Sequence, residues 1–132
     1  MTLKELVRAS ICGEMEDITG CETDAEAFPK AVEVAAYLNA LAAEKRDRLP
    51  DLGRIFKEGT GFRQRAKHVS RSVEAALRAR ALRAEKATAV YAALVRVMNK
   101  PEYKEAMNVL ANRELAIVAE LKKLLAELKK PA

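Results

Sequence analysis

The stretch PEYKEAMNVLANRELAIVAELKKLLAELKK, residues 101–130, carries an apolar ladder with the spacing of a helix. The steps of the ladder alternate between three and four residues, which places it on one face of a helix that packs against other helices. A glutamate interrupts the ladder where the spacing predicts a leucine. The ladder consists of Tyr103, Met107, Leu110, Glu114, Ile117, Leu121, Leu124 and Leu128. This pattern predicts a long amphipathic helix with one carboxylate turned towards the core.

The composition of the remaining chain favours helices as well. Alanine occurs 25 times among 132 residues, against six aromatic residues, five glycines and four prolines, and alanine is the strongest helix former. Half of the residues are apolar, so one ordinary hydrophobic core can form. We predict an all-α fold, an antiparallel four-helix bundle built from two helical hairpins, as a single domain over residues 1–132.

The boundaries of the helices follow from capping and breaking residues. Thr2 and Glu5 have the spacing of a capping box, and the helix that they begin is expected to stop near Gly20. Pro50 is expected to kink or interrupt the second helix, because its ring displaces the preceding turn.

Two glycines, Gly59 and Gly61, predict a flexible joint at residues 59–62. We place the first hairpin at about residues 2–58 and the second at about residues 63–129. Within the second hairpin, the stretch from about residue 63 to residue 98 is interpreted as one long helix.

Each of the other helices also carries a glutamate on its more apolar face. Glu14, Glu44 and Glu85 are these counterparts of Glu114, and Asp17 points close to the line of Glu14. Glu14 and Glu44 are about thirty residues apart, as are Glu85 and Glu114, so we expect the four to meet near the middle of the bundle. Burying carboxylates costs several kcal/mol each. A pair of metal ions, internal arginines or shared protons must therefore compensate them.

This chain resembles the ferritin-like di-iron carboxylate superfamily, most closely its rubrerythrin-like branch. In the first hairpin the resemblance is carried by GEMEDITGC (13–21) and LAAEKRDRL (41–49). In the second it is carried by LRAEKATAVYAAL (82–94) and NRELAIVAELKKLL (112–125), with KPEYKE (100–105) as the connection between helices. In that family two helices each provide one Glu, and the other two each provide a Glu-x-x-His motif.

Carried over by position, the resemblance implies a carboxylate-rich site for two iron or manganese ions. Both motif histidines are replaced, by Asp47 and by Ile117, and only the aspartate can ligate through oxygen. The implied metal ligands are Glu14, Glu44, Asp47, Glu85 and Glu114. The implied activity is iron binding and oxidation or peroxide reduction, with electrons from an external donor protein, since the chain lacks a Cys₄ module.

The alternative is a metal-free ferritin-like bundle that serves as a scaffold or protein-interaction module. Arg78 and Arg96 lie close to Glu85 on the helical wheel, and Arg48 lies close to Glu44, so a salt-bridged core is possible. Alanine-rich faces between residues 75 and 93 would allow close helix approach within the chain or in a homodimer.

The net charge of +5 is concentrated in residues 63–86, which carry eight basic and two acidic side chains. These charges wrap around the predicted helix without interleaved aromatic residues, so we expect a solvated face or a seam to an acidic subunit, and no nucleic-acid binding. No apolar run has the length of a membrane span, and the start of the chain lacks the pattern of a signal peptide. We expect a soluble, cytoplasmic protein.

Overall fold

The computed structural model describes residues 1–130; the last two residues of the predicted domain lie outside this part. The described chain contains four helices and no strand. They are α1 (Leu3–Ala27), α2 (Val32–Phe56), α3 (Val73–Val97) and α4 (Pro101–Leu128). The prediction of an all-α bundle is confirmed. None of these helices combines the length and the apolar character that crossing a membrane requires.

Local signals explain the start of α1 but not its end. The side chain of Thr2 accepts a hydrogen bond from the backbone N–H of Glu5, and Glu5 returns the bond, so the predicted capping box is present. The expected stop near Gly20 is wrong, because α1 continues to Ala27. A side chain from α3, Arg80, lies against Gly20 and occupies the space that a Cβ atom would take.

Pro50 does not interrupt α2, which is continuous from Val32 to Phe56. Proline removes one backbone donor, which leaves the carbonyl of Arg46 without its helical partner. Both residues are exposed. The polar group that the proline frees therefore lies on the solvent side of the helix, where water can satisfy it.

Residues 57–72, which we call the crossover, contain no helix or strand and return along α1 from the end of α2 to the start of α3. The backbone N–H of Arg65 donates to Thr19 Oγ1 at 3.0 Å, and that of Ser70 donates to Asp24 Oδ1 at 3.0 Å. The predicted helix from residue 63 is wrong, and the joint is longer than residues 59–62. Extended chain covers about 3.3 Å per residue against 1.5 Å in a helix, so only an extended segment can return along the bundle.

The crossover determines how the helices are arranged. α1 packs against α2 and α3, and α4 packs against α3. α2 and α4 face each other across ion pairs such as Glu44–Arg113 at 2.8 Å. Neighbouring helices are antiparallel, as predicted, while the diagonal partners α2 and α3 run parallel because the crossover carries the chain back before α3 begins.

A polar layer divides the hydrophobic core into two clusters. The cluster towards the α1–α2 turn includes Ile18, Leu38, Leu77, Ile117 and Leu121. The cluster towards the α3–α4 turn includes Leu6, Leu52, Leu94, Met98 and Met107. The two clusters hold the four helices together and place the polar layer between them, away from solvent.

Candidate functional site

One residue from each helix projects into the layer between the two apolar clusters. These residues are at most 2% exposed, and their neighbours one heptad away on the same helix are buried and apolar. The four are Glu14 between Val7 and Cys21, Lys45 between Leu38 and Leu52, Tyr91 between Ala84 and Met98, and Glu114 between Met107 and Leu121. Together with Asp17 and Arg48, we call them the ionic layer.

The ammonium group of Lys45 is the centre of the ionic layer. Its Nζ atom lies 2.9 Å from Glu14 Oε2, 3.0 Å from Asp17 Oδ2 and 3.1 Å from Glu114 Oε1. An ammonium has three N–H donors, and here three carboxylates receive them. Burial disfavours the charged form of Lys45, but these carboxylates outweigh burial and hold its pKa above the ordinary value of a lysine.

Arg48 provides the second buried cation, one turn further along α2. Its Nη1 atom lies 2.6 Å from Glu14 Oε1 and 3.0 Å from Glu114 Oε2. The other end of the guanidinium donates to Glu44 Oε2 at 3.2 Å. Glu14 and Glu114 therefore each bind both Lys45 and Arg48, and their charges are compensated inside the chain.

Tyr91 closes the layer from α3. Its hydroxyl donates to Glu14 Oε1 at 3.0 Å and accepts from Ser10 Oγ at 3.0 Å. Burial, together with the nearby carboxylate of Glu14, holds the pKa of Tyr91 well above its usual value. The phenol therefore stays protonated and acts as a hydrogen-bond donor.

Asp17 connects the ionic layer to the basic side of α3. Its Oδ1 atom accepts from Arg83 Nε at 2.9 Å. Burial opposes the charge of Asp17, but Lys45 and Arg83 outweigh it and lower its pKa. A Cβ atom at Gly13 would collide with the guanidinium of Arg83, so the glycine makes room for this ion pair.

A second group of ion pairs spans α2 and α4 closer to solvent. Arg113 donates to both oxygens of Glu44, at 2.8 and 2.9 Å, and to Glu120 Oε2 at 2.8 Å. Glu120 in turn accepts from the hydroxyl of Tyr37 at 2.7 Å. Hydrogen bonding by Arg113 is the main reason that the pKa of Glu44 lies below its ordinary value.

The five predicted metal ligands are not brought together. Glu14 and Glu114 share the ionic layer, Glu44 lies at its edge with its side chain 36% exposed, and Asp47 and Glu85 face solvent. The expected convergence of Glu85 with the other glutamates is wrong. The buried face of α3 is centred on Leu77, Ala84 and Tyr91, and Glu85 lies about 100° from its centre. Glu85 instead pairs with Lys122 on the outer surface, at 3.6 Å.

The arrangement of donors does not fit a dinuclear iron or manganese centre. The position between Glu14, Asp17 and Glu114 holds an ammonium group, and a metal ion there would require Lys45 to lose its proton and withdraw. Within residues 1–130, no three His, Cys, Asp or Glu side chains are grouped so that they could hold a metal ion. His68, the single histidine, is exposed on the crossover.

Lys45, the residue that organises the layer, was not among the site residues predicted from the sequence. The signal was present, because Lys45 lies one heptad from both Leu38 and Leu52, as Glu114 lies one heptad from Met107 and Leu121. The sequence predicted that Glu44 faces the core of the bundle. In the structure the next residue, Lys45, faces the core instead.

We compared the chain with protein-family models, with curated proteins and with solved structures, and no match was found.

Proposed function

We propose that this protein is a metal-independent helical bundle whose ionic layer holds the four helices in register, and that it works as a scaffold or interaction module. The observation that carries the proposal is the position of Lys45, whose ammonium binds Glu14, Asp17 and Glu114. The positive charge of Lys45 compensates the negative charge of the buried carboxylates, which is the role that a metal ion has in the alternative.

In this proposal, the resemblance to ferritin-like proteins reflects common ancestry of the bundle, and the metal site has been lost. Ferritin-like bundles typically consist of two helical hairpins that one long crossover connects. In this chain, residues 57–72 connect the hairpin α1–α2 to the hairpin α3–α4. The carboxylates at positions 14 and 114 would then be former ligand positions that now bind Lys45 and Arg48. A fold of this kind carries no metal chemistry by itself.

The scaffold role calls for an outer surface that binds a partner, and we propose a second copy of the chain. The outward faces of α3 and α4 expose Leu82 and Leu115, at 54% and 57%, together with the small residues Ala89, Ala116 and Ala119. Small residues allow helices to approach closely, and the two leucines provide apolar area. The molar mass in solution by light scattering tests this, with Leu82→Glu and Leu115→Glu expected to shift a dimer to monomer.

Metal analysis tests the proposal against the dinuclear alternative. The protein is purified without chelators and assayed for Fe, Mn and Zn by elemental analysis, before and after anaerobic loading with Fe(II). We expect less than a tenth of an equivalent per chain and an unfolding midpoint that does not change with EDTA. Binding of about two metal ions per chain that is lost in Glu14→Ala or Glu114→Ala would contradict the proposal and indicate a working metal site.

A further inference from the structure

The crossover, α1 and α3 line a solvent-open cavity of about 300 Å³ that contains no residue of the ionic layer. Its lining is predominantly basic. The residues that line it are Glu16, Gly20, Arg65, Ala66, His68 and Arg80. We call it the crossover cavity. Two of its side chains are arginines and one is a glutamate, so its formal charge is positive and favours an anion as the ligand.

Arg80 brings a largely buried positive charge to the cavity. Its side chain is 16% exposed, and its atoms Nε and Nη1 are themselves buried and have no hydrogen-bond acceptor among residues 1–130. The nearest carboxylate oxygen, Asp17 Oδ1, is 3.6 Å from Nη1, too far for a hydrogen bond. That oxygen already accepts from Arg83. Arg80 therefore has donors that Asp17 does not satisfy.

Arg65 brings a second guanidinium from the crossover. Its backbone is held by the hydrogen bond to Thr19, which fixes the residue beside α1. Among residues 1–130, its Nη2 atom has only sulfur acceptors, Cys12 Sγ and Met15 Sδ at 3.6 Å each, and sulfur is a weak acceptor. Its Nε atom has no acceptor within the described chain. Two incompletely paired guanidinium groups, those of Arg65 and Arg80, thus line one cavity.

The helix α1 is shaped to admit the guanidinium of Arg80. A Cβ atom at Gly20 would collide with both terminal nitrogens of Arg80 and with its central carbon. Glycine in the middle of a helix costs stability relative to alanine, yet here it allows Arg80 to lie against the backbone of α1. The glycine therefore positions a basic side chain at the wall of the cavity.

We propose that the crossover cavity binds the phosphate group of a small phosphate ester, held by Arg65 and Arg80. The planar guanidinium fork matches the spacing of phosphate oxygens and forms paired hydrogen bonds with them. A phosphate dianion offers several acceptors and balances two guanidinium charges. The cavity is at the lower end of the size range of small-molecule sites and has room for a short organic group beside the phosphate.

Isothermal titration calorimetry with the full chain tests the site. The probes are inorganic phosphate and glycerol 3-phosphate, each titrated at one ionic strength set with sodium chloride. We expect saturable binding of one equivalent per chain, weakened at least tenfold by Arg80→Gln and by Arg65→Gln. Arg78→Gln is the matched control, because Arg78 lies on the same helix, is exposed and pairs with Glu74 outside the cavity. The Arg78→Gln variant should bind each phosphate probe with the same affinity as the wild type.

Affinity for the ester at least tenfold above that for inorganic phosphate would assign an esterified ligand, whereas equal affinities would assign the phosphate group alone. Amide chemical shifts of the wild type give a second measurement that does not depend on variant folding. Those of Gly20 and Ala66 should move with each titration and saturate at the calorimetric affinity. Absence of saturable binding, or equal weakening by Arg78→Gln, would overturn the proposal.

Discussion

The ammonium group of Lys45 lies 2.9 Å from Oε2 of Glu14, and only 2% of either side chain is exposed. This contact joins α1 to α2 within the ionic layer, between the two apolar clusters of the core. A buried ion pair contributes little net stability compared with apolar residues in its place. Removing only one partner is strongly destabilising, because the other charge is then buried without compensation. Removing one partner of such a pair should therefore destabilise the protein more than removing both.

We expect Lys45→Ala to lower the free energy of unfolding by about 3–5 kcal/mol, because it leaves Glu14, Asp17 and Glu114 without their shared cation. Urea denaturation followed by circular dichroism at pH 7 measures the change. Lys86→Ala removes an exposed lysine of α3 and serves as the control, with a change within about 0.5 kcal/mol. Equal effects of the two substitutions would show that the ionic layer is not buried as described.

Replacing the layer as a unit should be far less harmful than breaking it. A variant with Glu14→Leu, Lys45→Met, Arg48→Met and Glu114→Leu removes two charges of each sign and keeps Asp17 with Arg83. We expect its free energy of unfolding to equal that of the wild type or to exceed it by about 1–4 kcal/mol. The same denaturation experiment, compared with Lys45→Met alone, checks this. If the four changes together cost more than the single one, the layer contributes net stability.

The lowered pKa of Asp17 predicts that acid destabilises the fold through this residue. A carboxylate whose folded pKa lies below its unfolded value of about 3.9 stabilises the fold above that pH. The contribution is lost as the pH falls through the folded pKa. Asp17→Asn should therefore reduce stability at pH 7 and flatten its decline below about pH 4.

Unfolding by urea at several pH values from 7 to 3 measures this dependence on acid. Asp47→Asn removes an exposed carboxylate of α2, so its pH profile should follow that of the wild type. A profile of Asp17→Asn as steep as the wild-type profile would contradict the role of Asp17.

Gly13→Ala should destabilise the protein although alanine is the better helix former. The added Cβ atom would displace the guanidinium of Arg83 from Asp17, and hydrogen bonds to charged groups contribute about 1.5–3 kcal/mol. The gain in helix propensity is about 0.5–1 kcal/mol, so the net loss should be about 1 kcal/mol. In an Arg83→Ala background the same substitution should become stabilising, and thermal unfolding of the four proteins tests this change of sign.

Much of the fold could be predicted from local patterns. The ladder of α4 and the Thr2–Glu5 capping box depend on residues within a few turns, and both the all-α class and the start of α1 are confirmed. The inward positions of Glu14 and Glu114 followed from the same periodicity. By contrast, the alanine-rich α3 has no sharp apolar face, so the rotation that turns Glu85 outward could not be predicted from its sequence.

The sequence by itself determined the helical class and two of the buried carboxylates, because hydrophobic periodicity depends on spacing within one helix. Tertiary structure alone decided that an ammonium group faces those carboxylates, that α1 continues past Gly20 and that residues 57–72 are not helical. The partner of a buried charge depends on the rotation and axial offset of neighbouring helices, which the packing of all four determines together. The conformation of the crossover depends on the distance between the end of α2 and the start of α3, which exists only once the bundle has formed.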